Sequence, residues 1–199
     1  MNSKTYPIIC TRGVVVFPGQ EIVIDVGRES SIRAIDNAQG NYSGQICMFS
    51  QIKNDIDAPT EDDIHKVGTL CWIRHARRFD RFVRVKFQGI ERVKLESFEE
   101  GALSDLCEVE VLESERADET EETVLMRMIK ESLEGMKTGE KFMSKELLLD
   151  LSKGITPENL TNKAAQIFPL SIERKQKYLE TTSINARLYM LKEDIEQEK

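Results

Sequence analysis

The sequence is poor in the residues that build metal centres and redox pairs. Its four cysteines, Cys10, Cys47, Cys71 and Cys107, never come closer than 24 residues to one another, so no CxxC pair exists for zinc or thiol–disulfide chemistry. Of the two histidines, His65 lies beside Asp62 and Asp63, but no third or fourth ligand follows at zinc spacing, and the segment reads as a solvated turn. Long apolar runs are missing too. The longest, such as Val14-Val15-Val16-Phe17, are far too short to cross a bilayer. The N-terminal Met1-Asn2-Ser3-Lys4-Thr5-Tyr6 lacks the apolar stretch of a secretory signal. Without such a signal, the cysteines are expected to be reduced, buried and small, in a cytoplasmic compartment.

Positive charge is scarce as well. Lys and Arg number 28 against 35 Asp and Glu, a net charge of −7, which argues against nucleic acid as the main partner. The exception is Arg74 to Arg84, where Phe79 and Phe82 interleave with arginines as in single-strand binders. The same residues fit a β-hairpin with Phe79-Asp80-Arg81 at its tip and arginines on the solvent face. Catalytic signatures are also absent. No GxSxG elbow occurs. The nearest approach to a phosphate loop, Gly135-Met136-Lys137-Thr138-Gly139-Glu140-Lys141-Phe142, puts Glu140 between its glycine and lysine and follows a helical segment, so it reads as a helix-ending loop. No catalytic residue, metal ligand or cofactor site is assigned within these residues.

What is present is 40% hydrophobic residues, enough for a core, in two patterns that meet near residue 115. The first half is β-rich. Candidate strands are Ile8 to Phe17 (ending at Pro18-Gly19), Glu21 to Val26, Ile46 to Ile52, Gly68 to Ala76, Phe82 to Phe87, Glu91 to Phe98 and Cys107 to Leu112, the last two with clear period-two alternation. One helix, Arg28 to Ala38 with Gly40 as its stop, interrupts them. The acidic stretch Glu113 to Glu122 then leads into helical periodicity. Val124, Leu125, Met128, Ile129 and Leu133 form one stripe, Phe142 to Leu151 a second segment, and Asp118, Thr156 (before Pro157), Ser171 and Ser183 are N-cap candidates. Ile184, Leu188, Leu191 and Ile195 form an a/d seam suited to an oligomeric or connecting helix. No Gly, Asn or Pro closes that helix, which suggests that the polypeptide was cut there. The expectation is an α+β chain: residues 1–115 a mostly antiparallel β-subdomain with one helix, residues 116–199 a helical bundle ending in a long helix.

These residues also carry a family resemblance. Arg12-Gly13-Val14-Val15-Val16-Phe17-Pro18 and Val26-Gly27-Arg28-Glu29-Ser30-Ser31-Ile32-Arg33-Ala34 resemble the opening of bacterial Lon proteases. Gln51, Asp57-Ala58-Pro59-Thr60-Glu61-Asp62-Asp63-Ile64, Val67-Gly68-Thr69 and Gln88-Gly89-Ile90-Glu91-Arg92-Val93 follow in order. So do Pro169-Leu170, Lys175 to Glu180 and Asn185-Ala186-Arg187-Leu188. Two departures are Cys10-Thr11 in place of the usual Pro-Leu pair, and the shorter Phe79-Asp80-Arg81-Phe82 in place of a Pro-Asp-Gly turn. The resemblance implies a PUA-like β-subdomain and a helical bundle, followed in the parent by an ATPase domain using ATP and Mg and a Ser–Lys protease domain, all beyond residue 199. It implies a homohexamer and a role in engaging unfolded or damaged proteins.

A module of that kind needs an apolar surface rimmed by polar groups. The candidates are Phe17, Pro18, Ile22, Val23, Phe79 and Phe82. The alternative is a free-standing PUA-like module that binds RNA or a partner protein. A third reading is an architectural piece that self-associates through Ile184 to Ile195.

Overall fold

Residues 3–136 and 141–198 are described by a computed structural model, and the chain divides into two units, residues 1–112 and 113–199. The first holds strands β1 (Lys4–Thr11), β2 (Glu21–Val26), β3 (Gln45–Ser50), β4 (Val67–Arg78), β5 (Val83–Glu99) and β6 (Leu106–Val111), with helix α1 (Glu29–Asn41) between β2 and β3. The strands run in the order β2-β5-β4-β3-β1-β6, and a further β5–β6 pairing closes five of them into a ring that leaves β2 at the edge. All pairings are antiparallel except β1 with β3, so the sheet is mixed.

β1 and β3 are buried on both faces, which explains why Ile8-Ile9-Cys10 and Ile46-Cys47-Met48-Phe49 are continuously apolar rather than alternating. Ile9, Ile46 and Met48 pack with Ala34, Ile35 and Ala38 of α1. Ile8, Cys10, Cys47 and Phe49 join Leu70, Val93, Leu95 and Cys107 on the opposite face.

Three elements differ from the sequence expectation, each for a tertiary reason. The first strand ends at Thr11, where the Thr11 hydroxyl donates to the Val14 carbonyl (2.7 Å) and Gly13 turns the chain with φ +65. Val15, Val16 and Phe17 then plug into the core as irregular chain. The two expected strands 82–87 and 91–98 are one 17-residue strand, β5. Gly89 makes no turn; it leaves room for the loop that crosses it. α1 runs through Gly40 and stops at Tyr42, followed by left-handed Ser43 (φ 55) and Gly44 (φ 77), the Gly44 N–H donating to Ala38 O (2.9 Å).

All four cysteines are free and buried. Burial pushes the Cys10 thiol up from 9.0 to about 12 against the opposing pull of Arg28, and burial also raises Cys47 and Cys71. The folded chain therefore keeps these protons where the unfolded chain loses them. The associated stability is complete below about pH 9 and is lost as pH climbs towards 12. The urea midpoint of the native protein should fall across that window more steeply than that of Cys10→Ala. Parallel curves would refute the assignment.

The second unit holds α2 (Glu119–Glu134), α3 (Lys141–Ser152), α4 (Pro157–Ile167), α5 (Ile172–Glu180) and α6 (Ile184–Gln197). Local chemistry sets their starts. Asp118 accepts from Thr120 N and Glu121 N, Thr156 from Asn159 N, Ser171 from Arg174 N and Ser183 from Ala186 N, each pairing an amide the helix leaves open. The boundary falls at Leu112/Glu113, ahead of residue 115. Leu112 N still donates to Arg92 O, whereas Glu115 exchanges backbone hydrogen bonds with Thr182 and Ile184.

The a/d seam is corrected here. Ile184, Leu188, Leu191 and Ile195 are all buried, on a helix that packs against α2 and α4, so they build the core of this unit and are not free to form a seam between subunits. Asp194 on the same helix accepts from the Tyr178 hydroxyl (2.6 Å) and from Arg174 Nε (3.0 Å). Of the phosphate-loop-like stretch, Gly135 caps α2 and Lys141 begins α3, while residues 137–140 lie outside the described residues. Among the described residues, no helix is long and apolar enough to cross a membrane.

Candidate functional site

Two features of the first unit hold chemistry that its core does not require. The first is the solvent face of β2, β5 and β4. Alternation along β5 sends Val83, Val85 and Phe87 inward and leaves Arg84 and Lys86 exposed. On β2, Asp25 lies opposite Arg84 and Val23 opposite Lys86. Arg84 binds both Asp25 oxygens (2.7 and 3.1 Å), which lowers the Asp25 carboxyl and raises the guanidinium. Lys86 pairs with Glu21 at 3.1 Å.

At the hairpin tip the Phe79 and Phe82 rings stack with centroids 4.8 Å apart. The Arg77 and Arg84 guanidinium groups stand over Phe79 at 5.2 and 5.3 Å. Phe79 N donates to Phe82 O (2.9 Å), closing a two-residue loop. Further along the same face, Arg74 stands 5.6 Å over Trp72 and donates to Gln88. The surface alternates aromatic or apolar patches with ion-paired charges.

The candidate residues differ in exposure. Phe79 keeps 39% exposure and Val23 58%, while Phe82 is half-buried under its partner ring. Pro18 and Ile22 are half-buried, and Ile22 packs on the core. Phe17 is corrected outright. It has no exposed surface, because the loop carrying it lies flat on Gly89, with Gly19 N donating to Gly89 O and Gly89 N to Gln20 O. Phe17 builds the core and is unavailable to a ligand.

The second feature escaped sequence reasoning. A cleft of about 280 Å³ opens where β1 and β2 end and α1 begins, lined among others by Arg12, Arg28, Ile24, Val26, Met48 and Phe87. Arg28 donates to the Gln51 side chain (2.7 Å). Gln51 is buried and locked by its own donations to Lys53 O and Ile56 O. Arg12 binds Ile56 O (3.2 Å) and Asp57 (2.8 Å). Burial, reinforced by the Arg12 charge, lowers the Arg28 guanidinium. Arg12 and Arg28 lie 16 residues apart, with no spacing to announce that they meet; both sit in segments that carry the family resemblance. Among the described residues, no group of three or more His, Cys, Asp or Glu is arranged to hold a metal.

Over residues 5–196 the chain matches the family described as the ATP-dependent protease La (LON) substrate-binding domain. It belongs to that family. Among its relatives are the Lon proteases of Escherichia coli, 31% identical over 193 residues, and Brevibacillus choshinensis, 29% identical over 191. Each alignment covers 96% of this chain and 24% of the relative, so the chain spans about a quarter of the length of the curated relatives it matches. The N-terminal domain of Mycobacterium avium complex Lon protease superposes with a TM-score of 0.81 at 19% identity, over 98% of this chain and 100% of that one. A Lon N-terminal domain protein from Xanthomonas campestris gives 0.64 at 15%, over 94% and 96%. These two likenesses establish a shared α+β fold. The Lon substrate-binding domain described here therefore carries its exposed aromatics on the β2–β5–β4 face and an arginine-bearing cleft beside α1.

Proposed function

We propose that this chain recognises unfolded or damaged polypeptides for an ATP-dependent Lon-type protease, and that the β2–β5–β4 face is where it meets them. The observation that carries this reading is the stacked Phe79–Phe82 pair, partly exposed at the hairpin tip and on the same face as Val23. Folding hides apolar side chains, so a surface that selects unfolded chains must offer apolar contact with a polar rim to stay soluble. Arg77, Arg84, Lys86, Asp25 and Glu21 supply that rim. A patch this small binds weakly, and a homohexameric parent would multiply it by effective concentration. The Ser–Lys protease chemistry and the ATP and Mg that drive it would reside in parts of the parent beyond these residues, in the cytoplasm, where the buried thiols stay reduced.

The arginines do not favour the RNA alternative. Arg84 is bound by Asp25, Arg78 by Asp36, and the chain carries −7 overall.

The test uses the 199-residue chain and a reduced, carboxymethylated globular protein as client. Binding should exceed that of the same protein in its native state, without ATP. The double substitution Phe79→Ser with Phe82→Ser should weaken it about tenfold, roughly 1.4 kcal/mol, with Trp72 emission unchanged to show that the sheet is intact. Equal binding of native and unfolded forms would defeat the proposal, as would affinity that survives the double substitution or salt-sensitive retention of RNA instead of protein.

A further inference from the structure

We infer that the cleft beside α1 is a binding site for a carboxylate carried on an apolar stem, with Arg28 as its ligand. Three observations converge. First, Arg28 is charged, partly buried and, among the described residues, without a hydrogen-bonded carboxylate partner. Of its five N–H donors, one meets a protein acceptor, the neutral amide of Gln51. Second, no nearby acid is bound to it, although Asp57 acts on it through space. Asp25, on the cleft wall, gives both oxygens to Arg84. Asp57 is engaged by Arg12 and its side chain is 95% exposed. The Cys10 thiol is held in its neutral form by burial. Third, Arg28 is positioned and not trailing in solvent, since Gln51 is buried and fixed by two backbone carbonyls. An immobilised guanidinium with free donors matches the two oxygens of a carboxylate and loses little entropy in binding it.

The rest of the lining selects what the carboxylate is attached to. Val14 and Ile24, both half-buried, offer hydrocarbon over a floor of buried Val26, Met48 and Phe87, which would leave a bare phosphate poorly solvated. The volume of about 280 Å³ lies at the lower limit for small-molecule sites, right for one amino-acid-sized group and too small for a nucleotide. Two sources share this chemistry: a free hydrophobic amino or organic acid, and the C-terminal residue of a polypeptide. The cleft lining shares Asp25 with the aromatic face but includes neither Phe79 nor Phe82.

The test needs no variant to begin. N-acetyl-leucine and a decapeptide ending in leucine with a free carboxylate are titrated into the ¹⁵N-labelled 199-residue chain, beside N-acetyl-leucinamide and the same peptide amidated. Saturable shifts at Gly27, Arg28 and Ser31, with the acids bound at least about tenfold tighter than the amides, are expected. Arg28→Gln should lower acid affinity by a similar factor, while the Phe79/Phe82 double variant should leave it unchanged. Binding of both acids, or of either alone, supports the site, and the pattern assigns the source. Acid and amide binding alike, shifts elsewhere on the surface, no saturable shift from either acid, or equal displacement by inorganic phosphate would each overturn it.

Discussion

Gly89→Ala should destabilise the first unit by about 3 kcal/mol or more, the upper end for overpacking a well-filled core. A Cβ added at Gly89 would sit 2.1 Å from the Phe17 carbonyl oxygen, 2.9 Å from its carbon and 3.3 Å from Pro18 Cα. All three are backbone atoms, so no side-chain rotation relieves the clash. The 12–20 loop would have to lift off β5, and with it would go the hydrogen bonds between Gly89 and both Gly19 and Gln20. Phe17, now fully buried, would be drawn towards solvent. Gly19→Ala makes the control. It has φ +82 but nothing within 4 Å, so it should cost only the roughly 1–2 kcal/mol of a left-handed Cβ. The sole tryptophan, Trp72, lies in β4, and its emission during urea unfolding reports this unit directly. A Gly89→Ala midpoint within error of Gly19→Ala would show that the loop yields freely.

That loop also marks the limit of sequence reading in this protein. Where a structural choice depends on neighbours a few residues away, the residues disclose it. Thr156 before Pro157, Ser171 and Ser183 each cap the helix their chemistry announces, and Glu21 to Val26 is a strand with the expected limits. Where the choice depends on distant chain, they do not. Val15-Val16-Phe17 has the composition of a strand or a sticky surface, and only the opening left by Gly89, 72 positions beyond Phe17, decides that it is core. The periodicity of Ile184, Leu188, Leu191 and Ile195 suits a seam between subunits and a seam within one unit equally well; the presence of α2 and α4 decides between them. The candidate sites divide the same way. The exposure of Phe79 is legible, because a short charged turn leaves its aromatic little interior to enter. The Arg12–Arg28–Gln51 cluster was not, because a turn, a loop and an edge strand separate residues that the fold then brings to one cleft.

Arg187→Met should cost the second unit about 3 kcal/mol, close to the penalty for breaking a buried charged network. The Arg187 side chain has no exposure. Its Nε donates to Thr181 O (2.7 Å) and its Nη2 to the Ser114 hydroxyl (2.6 Å) and Thr182 O (3.2 Å). The nearest carboxylate, Glu158, stands 3.9 Å from Nη1, so burial outweighs it and lowers the guanidinium. The side chain is therefore a poor ion-pair partner and a good clamp. It fastens the turn before α6 to Ser114, in the segment that enters this unit. Methionine keeps much of the volume but leaves the Thr181 carbonyl and the Ser114 hydroxyl without this donor, while the Thr182 carbonyl keeps Glu115 N, at about 1–3 kcal/mol for each one that water cannot reach. Arg187→Lys keeps the charge yet cannot reproduce the forked geometry, so it should fall between wild type and methionine. Ser114→Ala, which removes one acceptor, should cost about 1 kcal/mol. Ellipticity at 222 nm is the measurement, since α2 to α6 all lie in this unit. If methionine matched or exceeded wild-type stability, the cost of burying the charge would exceed the worth of its hydrogen bonds, and Arg187 would be an expense of the fold and not its clamp.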